Sequence, residues 1–254
     1  MEWAQLFSEA RVVGFILLFI RFGALFMAAP IFSHTSIPVN IKAVMAFFFT
    51  VIFYSAMPPL AIEITWPTLT IAILSEMLFG LAIGVVLQLA YHVITFAGGQ
   101  ISFMMGFSLA SAIDPQTGVS MPIISQFLSL LALMILLSID MHHWLLLFIN
   151  DSLAAIPLGG FMLQEQLFDY IIQAAANMFM VGFMIAFPII ALTWLQDVIF
   201  GMLMKTMPQF NLLVIGFPIK IGVAFVVLIA TLGSTMLIVR TQMEGAFNWL
   251  EMLF

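Results

Sequence analysis

The sequence contains no cysteine, which excludes a disulfide framework and any thiolate metal centre. Charge is nearly as scarce: 7% of the residues are Asp, Glu, Lys or Arg, against about 25% in an ordinary soluble domain. With 64% of the chain hydrophobic, a soluble globular domain is excluded and an integral membrane protein is expected. The net charge of -6 has no basic run behind it, so the chain offers nucleic acid no partner surface. A cleaved signal peptide is not expected either. Glu2 and Glu9 precede Arg11 where a basic region should lie, and Arg21 interrupts the first apolar segment. His34, His92, His142 and His143 show no His-Glu-x-x-His spacing, and no glycine-rich loop ends in Lys-Ser or Lys-Thr. Neither a metal nor a nucleotide or other cofactor is therefore expected, and the histidines read as interfacial or structural groups.

What the chain does have is about six long apolar segments, over 12–32, 43–60, 69–96, 123–149, 170–200 and 221–239. The fold class expected is all-α, a polytopic membrane protein with broken helices and hairpins. Six crossings put Lys42, Lys205 and Lys220 on one side, and the positive-inside rule then places both termini outside the cytoplasm. Arg21 lies mid-segment, where a charge costs roughly 3 kcal/mol or more on insertion scales, so it is expected to meet protein, as a subunit contact or an ion pair, rather than snorkel. Glu76 is followed by Gly80 and Gly84, two glycines on one face that let another helix approach closely. Gln88 and His92, four apart on one face, read as buried hydrogen-bonding groups. Pro188 is expected to kink the fifth segment.

Two stretches stand out as irregular. Residues 97–122 carry four glycines, four serines, three methionines and a single charge, Asp114. Asp114-Pro115, Thr117-Gly118 and Met121-Pro122 each disfavour helix. Irregular backbone survives at membrane depth only where protein buries it or it lines a wet cavity. The stretch is therefore expected to be re-entrant or pore-lining, with an ordinary connector as the alternative. Residues 201–220 contain Pro208, Gly216 and Pro218, expected to break the helix into a hairpin, with Asn211 satisfying the freed backbone groups. Residues 240–254 look amphipathic, Phe247, Leu250 and Phe254 sharing a face. The break in the fourth segment falls at Asp140-Met141-His142-His143-Trp144.

Signals of catalysis are weak. Gly106-Phe107-Ser108-Leu109-Ala110 is one residue short of a Gly-x-Ser-x-Gly nucleophile elbow, and an intramembrane serine protease further needs His142 or His143 within reach of Ser108. A proton-coupled carrier needs ionisable groups inside several spans. Arg21, Glu76 and Asp197 are the only candidates, and the carboxylates form no obvious pair.

Over nearly its whole length the chain resembles the FliR family, the flagellar type III export-gate subunits whose injectisome homologues are SctT-type proteins. The resemblance is carried by Arg21 through Ala29-Pro30, Phe32-Ser33, Ile37-Pro38 and Lys42, and by Glu76, Gly80 and Gly84. It continues through Ala97-Gly98, Met105-Gly106-Phe107-Ser108, Asp114-Pro115, His142 and Pro157-Leu158-Gly159, to Pro208-Gln209-Phe210-Asn211 and Gly216-Phe217-Pro218. Met104 stands where glutamine is expected, Met141 where glycine is usual and Lys205 where the family has arginine, a change that removes bidentate geometry.

The resemblance implies a non-enzymatic export-gate subunit in the bacterial inner membrane, at the flagellar basal body. It implies assembly with FliP- and FliQ-like subunits into a pore for unfolded proteins, association with FlhB-like and FlhA-like components, and contact with membrane lipid. Residues 1–165 then form a FliP-like part including 97–122, and residues 166–254 a FliQ-like part, within a single domain. The plug of the channel is expected in Met104, Met105, Gly106, Phe107, Ser108, Leu109, Ala110, Ser111, Ala112, Ile113, Asp114, Pro115, Gln116, Thr117, Gly118, Val119, Ser120, Met121 and Pro122. Helix packing and assembly are expected to rest on Arg21, Glu76, Gly80, Gly84, Lys205, Pro208, Gln209, Asn211, Gly216 and Pro218. Gly84→Leu is expected to block docking onto the FliP-like ring. An injectisome gate is the nearest alternative, and the protease and the carrier are those of another class.

Overall fold

The structure is a computed structural model and describes residues 8–34, 36–56, 60, 62–107, 122–207 and 211–252. All secondary structure among the described residues is helical. The helices are α1 (Glu9–Ala28), α2 (Pro30–Ser33), α3 (Val39–Phe53), α4 (Trp66–Met105), α5 (Ile123–Ser138), α6 (Met141–Ala155), α7 (Glu165–Thr206) and α8 (Phe217–Glu251). A 3-10 turn follows α3 at Tyr54–Ala56, and a π-turn over Leu212–Gly216 precedes α8.

Among the described residues, four helices are long and apolar enough to cross a membrane: α1, α4, α7 and the π-turn with α8. The broken pair α5–α6 makes a fifth if it counts as one span. α3, at 15 residues, falls short of the roughly 20 that a crossing needs. The orientation deduced from six crossings therefore loses its basis. α4, α7 and α8 run for 40, 42 and 35 residues. At 1.5 Å per residue these are rods of about 53–63 Å, close to twice a hydrocarbon core of about 30 Å.

Several boundaries differ from the sequence expectation, each for a local reason. α4 begins at Trp66, because Pro67 sits in its first turn, where the missing N–H costs nothing; Thr65 and Thr68 cap that end, the Thr65 N–H donating to Thr68 Oγ1 at 3.1 Å. It then runs through Ala97 to Met105, so the first third of the stretch read as irregular is helix. Gly98 does not break it. A Cβ there would lie 2.5 Å from Ser125 Cα, so the glycine lets α5 approach, and Ser125 Oγ donates to the Thr95 carbonyl at 2.7 Å. Likewise α7 continues past Phe200 to Thr206. Pro218 is no breaker: it lies in the first turn of α8. The segment read as a separate amphipathic tail continues α8 to Glu251, with Phe247 and Leu250 buried. Phe254 lies outside the described residues. The fourth apolar segment breaks at Ile139–Asp140 only, Met141 onward being helical.

The chain divides into two compact units. One comprises residues 1–89, 136–174 and 243–254; the other comprises 90–135 and 175–242. In the first, α1 ends because Pro30 forces Ala29 into extended backbone. α1 packs on α3 through aromatic rings: Phe22 against Phe49 and Phe53 at 6.0 and 5.4 Å, and Phe26 against Phe49 at 5.5 Å. Tyr170 and Trp249 stack at 3.7 Å, joining the start of α7 to the end of α8. In the second unit, Val93, Ala97 and Ile185 form a core with Met178, Val181 and Ile238 against it. Gly182 lets α7 lie against α4: a Cβ there would meet Phe96 at 2.7 Å and the Val93 carbonyl at 3.0 Å.

Candidate functional site

The strongest concentration of polar chemistry is a buried ion pair in the first unit. Arg21, on α1, and Glu76, on α4, are both 0% exposed. The pairing is bidentate: Arg21 Nε donates to Glu76 Oε2 at 2.5 Å and Nη2 to Oε1 at 3.0 Å. Nη1 donates to Ser152 Oγ on α6 at 3.2 Å, and Nη2 also reaches the Ile156 carbonyl at 3.4 Å. The guanidinium lies over the Phe79 ring, 4.4 Å from its centroid. From the other side, the Gly159 N–H donates to Glu76 Oε1 at 2.6 Å. One cluster thus joins α1, α4, α6 and the connector after α6. Gly159 has φ +80, and a Cβ on it would lie 2.8 Å from the Ala72 Cβ. Every charge here is met, so the site is built to hold helices together and leaves no free carboxylate to relay protons.

The sequence brings this pair together by a small-residue seam. Ala24 and Ala28 follow Arg21 on one face of α1; Gly80 and Gly84 follow Glu76 on one face of α4. A Cβ on Gly80 would stand 2.7 Å from Ala24 Cβ and 2.9 Å from the Arg21 carbonyl oxygen, and one on Gly84 2.9 Å from the Ala28 carbonyl carbon. The helix that uses the two glycines is the chain's own α1, where the sequence reading had placed a partner subunit. Arg21 and Glu76 were each singled out from sequence, but not as a pair. Ser152, the Gly159 N–H and the Phe79 ring were missed. Gln88 and His92 are hydrogen-bonded inside the chain, Gln88 Nε2 donating to Ser33 Oγ at 2.8 Å and His92 Nδ1 lying 3.0 Å from Thr95 Oγ1.

A second cluster, in the other unit, surrounds the base of the central segment. Met105 ends α4 fully buried. Gly106 follows with φ +86, a conformation that favours glycine, and a Cβ there would lie 2.8 Å from the Phe217 ring. Of the expected plug, Met104, Met105, Gly106, Phe107 and Pro122 are described; residues 108–121 lie outside the described residues, Ser108 of the candidate elbow included. Phe217 opens α8 directly after the π-turn. The Val214 N–H donates to Asn211 Oδ1 at 3.3 Å, and the Ile215 N–H to the Asn211 carbonyl at 3.0 Å. Gly216 ends the turn against Leu212. Pro208 and Gln209 lie outside the described residues. Lys205 is exposed; Lys220 Nζ donates to both Asp197 oxygens at 2.8 Å, tying α8 to α7.

Asn211→Leu removes the side-chain acceptor of the π-turn. It is expected to cost about 1 kcal/mol, as loss of a helix cap does. The chain should be less abundant and the cells less motile, to the same degree. Normal abundance with motility lost would overturn that structural role, and immunoblotting of membranes beside a swarm assay measures both.

Among the described residues, one group has the composition of a metal site: Asp140, His142 and His143, at the break between α5 and α6.

Comparison with known proteins bears on the whole chain. Residues 12–246 match the family described as bacterial export proteins, family 1. The flagellar biosynthetic protein FliR of Bacillus subtilis (strain 168) is 36% identical over 231 residues, covering 89% of each chain. That of Escherichia coli (strain K12) is 31% identical, covering 80% of this chain and 78% of its own. The protein of the same name from Pectobacterium carotovorum is 30% identical, covering 91% and 87%. With apolar helices of membrane-crossing length and a family match over nearly all its residues, the chain belongs to the FliR family of bacterial export proteins, membrane components of the flagellar export apparatus and not enzymes.

Proposed function

We propose that this chain is a core subunit of the flagellar protein export gate in the bacterial inner membrane, at the basal body. In this reading it assembles with FliP-like and FliQ-like subunits around a pore for unfolded flagellar proteins, with FlhB-like and FlhA-like components beside it. Residues 1–165 take the FliP-like role and 166–254 the FliQ-like role. Residues 106–122 form the plug, and Lys205, Pro208, Gln209, Asn211, Gly216 and Pro218 serve assembly.

The observation that carries the proposal is the end of α4. A 40-residue helix stops at Gly106, whose backbone is left-handed and lies close against the Phe217 ring. That is the hinge a plug needs: a stiff rod, a turn that glycine adopts without strain, and an aromatic stop. Met104 before the turn and Met121 at the far end of the segment suit a seal that must deform around a passing chain, and an apolar constriction holds back ions by dewetting. The great length of α4, α7 and α8 supports helices that pack on partners over much of their surface. On α7, Phe179, Phe183, Met184 and Phe187 present an exposed apolar face of the kind such partners would cover.

Deleting Ser108 to Ala112 is expected to leave the complex assembled and make it leaky. Uptake of a small dye by cells expressing the full gate, with copurification of the subunits in parallel, tests this. An assembled complex without added leak would overturn the plug assignment.

A further inference from the structure

The break between α5 and α6 gathers three metal-ligating side chains that neither the family nor the proposed gate assigns. Asp140 sits at the N-cap of α6 with φ 58, a left-handed conformation that aspartate tolerates better than most residues. Its side chain does not cap the helix. Instead the carboxylate faces the next turn: Oδ1 lies 3.2 Å from His143 Nδ1 and 4.0 Å from His142 Nε2. The two imidazole rings lie 4.2 Å apart between centroids. One donor atom from each residue falls within 4.8 Å of the others, and no second such group occurs among the described residues. His142 Nδ1 is buried and has no hydrogen-bond partner among them. Nε2 is the ring nitrogen that faces the carboxylate, so it is the one placed to share an ion with Asp140.

We propose that Asp140, His142 and His143 form a binding site for a zinc-class divalent cation. Tetrahedral zinc, at about 2.0–2.2 Å from its nitrogen and oxygen ligands, sets ligand–ligand edges of roughly 3.4 Å. The Asp140–His143 edge, 3.2 Å, is within a few tenths of an ångström of that value; the Asp140–His142 edge, 4.0 Å, and the His142–His143 edge, within 4.8 Å, reach it by side-chain rotation. Two imidazoles with one carboxylate favour zinc, cobalt, nickel or copper over magnesium or calcium. Asp140 and His143 are 67% and 62% exposed, so the described chain does not close over an ion held here and leaves a coordination position open. Asp140 and His143, three apart, share a helix face; His142, two from Asp140, does not share it on a regular helix, so the spacing matches no standard ligand motif. The inference is independent of the plug and of the pore.

The test uses the full-length chain in detergent, purified on an affinity tag free of histidine and stripped with chelator. Titration with Co²⁺, followed by competition with Zn²⁺, should show one saturable site per chain and a visible absorption that zinc abolishes. Loss of a supporting residue around a metal typically costs 10–100-fold in affinity. Loss of a direct ligand, in His143→Ala, should cost at least about as much, and His142→Ala/His143→Ala should abolish the absorption. His34→Ala should bind as the wild type does. Because His143 is exposed, the single variant keeps the fold, which circular dichroism checks. Absence of saturable binding by the wild type, or equal binding by the double variant, overturns the site.

Discussion

Arg21→Leu is expected to remove most of the folded chain from the membrane. The substitution leaves Glu76 buried with one remaining hydrogen bond, from the Gly159 N–H. Breaking a buried pair by deleting one partner costs about 3–5 kcal/mol, a large share of a total stability of about 5–15 kcal/mol. Glu76→Leu should be comparably severe, since it strands a guanidinium with only Ser152, the Ile156 carbonyl and the Phe79 ring around it. Arg21→Lys should rescue only in part, because an ammonium cannot reproduce the planar fork. The informative variant is Arg21→Leu/Glu76→Met. With no charge left unpaired it should recover a substantial part of the loss, as apolar replacements of buried pairs do elsewhere. Abundance and protease resistance of the chain in membranes, with motility beside them, measure all four. Wild-type abundance of Arg21→Leu would overturn the role given to the pair; a double variant as poor as the singles would place the cost in packing rather than in stranded charge.

Gly84→Leu is expected to be as damaging, and within the chain itself. A Cβ there already falls 2.9 Å from the Ala28 carbonyl carbon and 3.0 Å from its Cα, and leucine adds three further carbons. α1 and α4 must then separate, and Arg21 and Glu76, two turns along the same seam, separate with them. Overpacking alone costs about 1–3 kcal/mol, and the loss of the pair adds to it. Gly23→Ala is the control: nothing lies within 4 Å of its added Cβ, and alanine is the better helix former by about 1 kcal/mol. The prediction separates from a docking defect by expressing the chain without its partners. A Gly84→Leu chain that accumulates normally alone but fails to assemble would return the clash to a partner ring.

Much of this was legible in the sequence. Scarce charge and long apolar runs announced membrane helices, and Arg21, Glu76, Gly80 and Gly84 were recognisable as packing residues from their positions inside those runs. Their convergence was not legible, because the pair joins residues 55 apart, and nothing in Ser152 or in Pro157-Leu158-Gly159 shows which charged residues they meet. In retrospect the alignment of Arg21, Ala24 and Ala28 with Glu76, Gly80 and Gly84 was the available clue. Helix ends were misjudged where glycine or proline was taken for a breaker. Gly98 serves close approach, while Pro67 and Pro218 occupy first turns, and nothing in the composition of a short window separates those uses from a turn. Asp140 is the opposite case: an ordinary residue in an extraordinary backbone conformation, which no residue-type rule anticipates.

The spacing of the buried pair also bears on biosynthesis. α1 enters the membrane first, carrying a central arginine whose insertion costs about 2.5–3.5 kcal/mol. Glu76 follows 55 residues later, and Ser152 follows Arg21 by 131. At about 5–20 residues per second, the ribosome takes roughly 3–11 seconds to supply the first of these partners and longer to supply the second. Throughout that interval the first helix carries a charge whose partner in the folded chain has not yet been made. Its retention in the bilayer then depends on the insertion machinery, and a ribosome that stalls before residue 76 leaves behind a span prone to slip out.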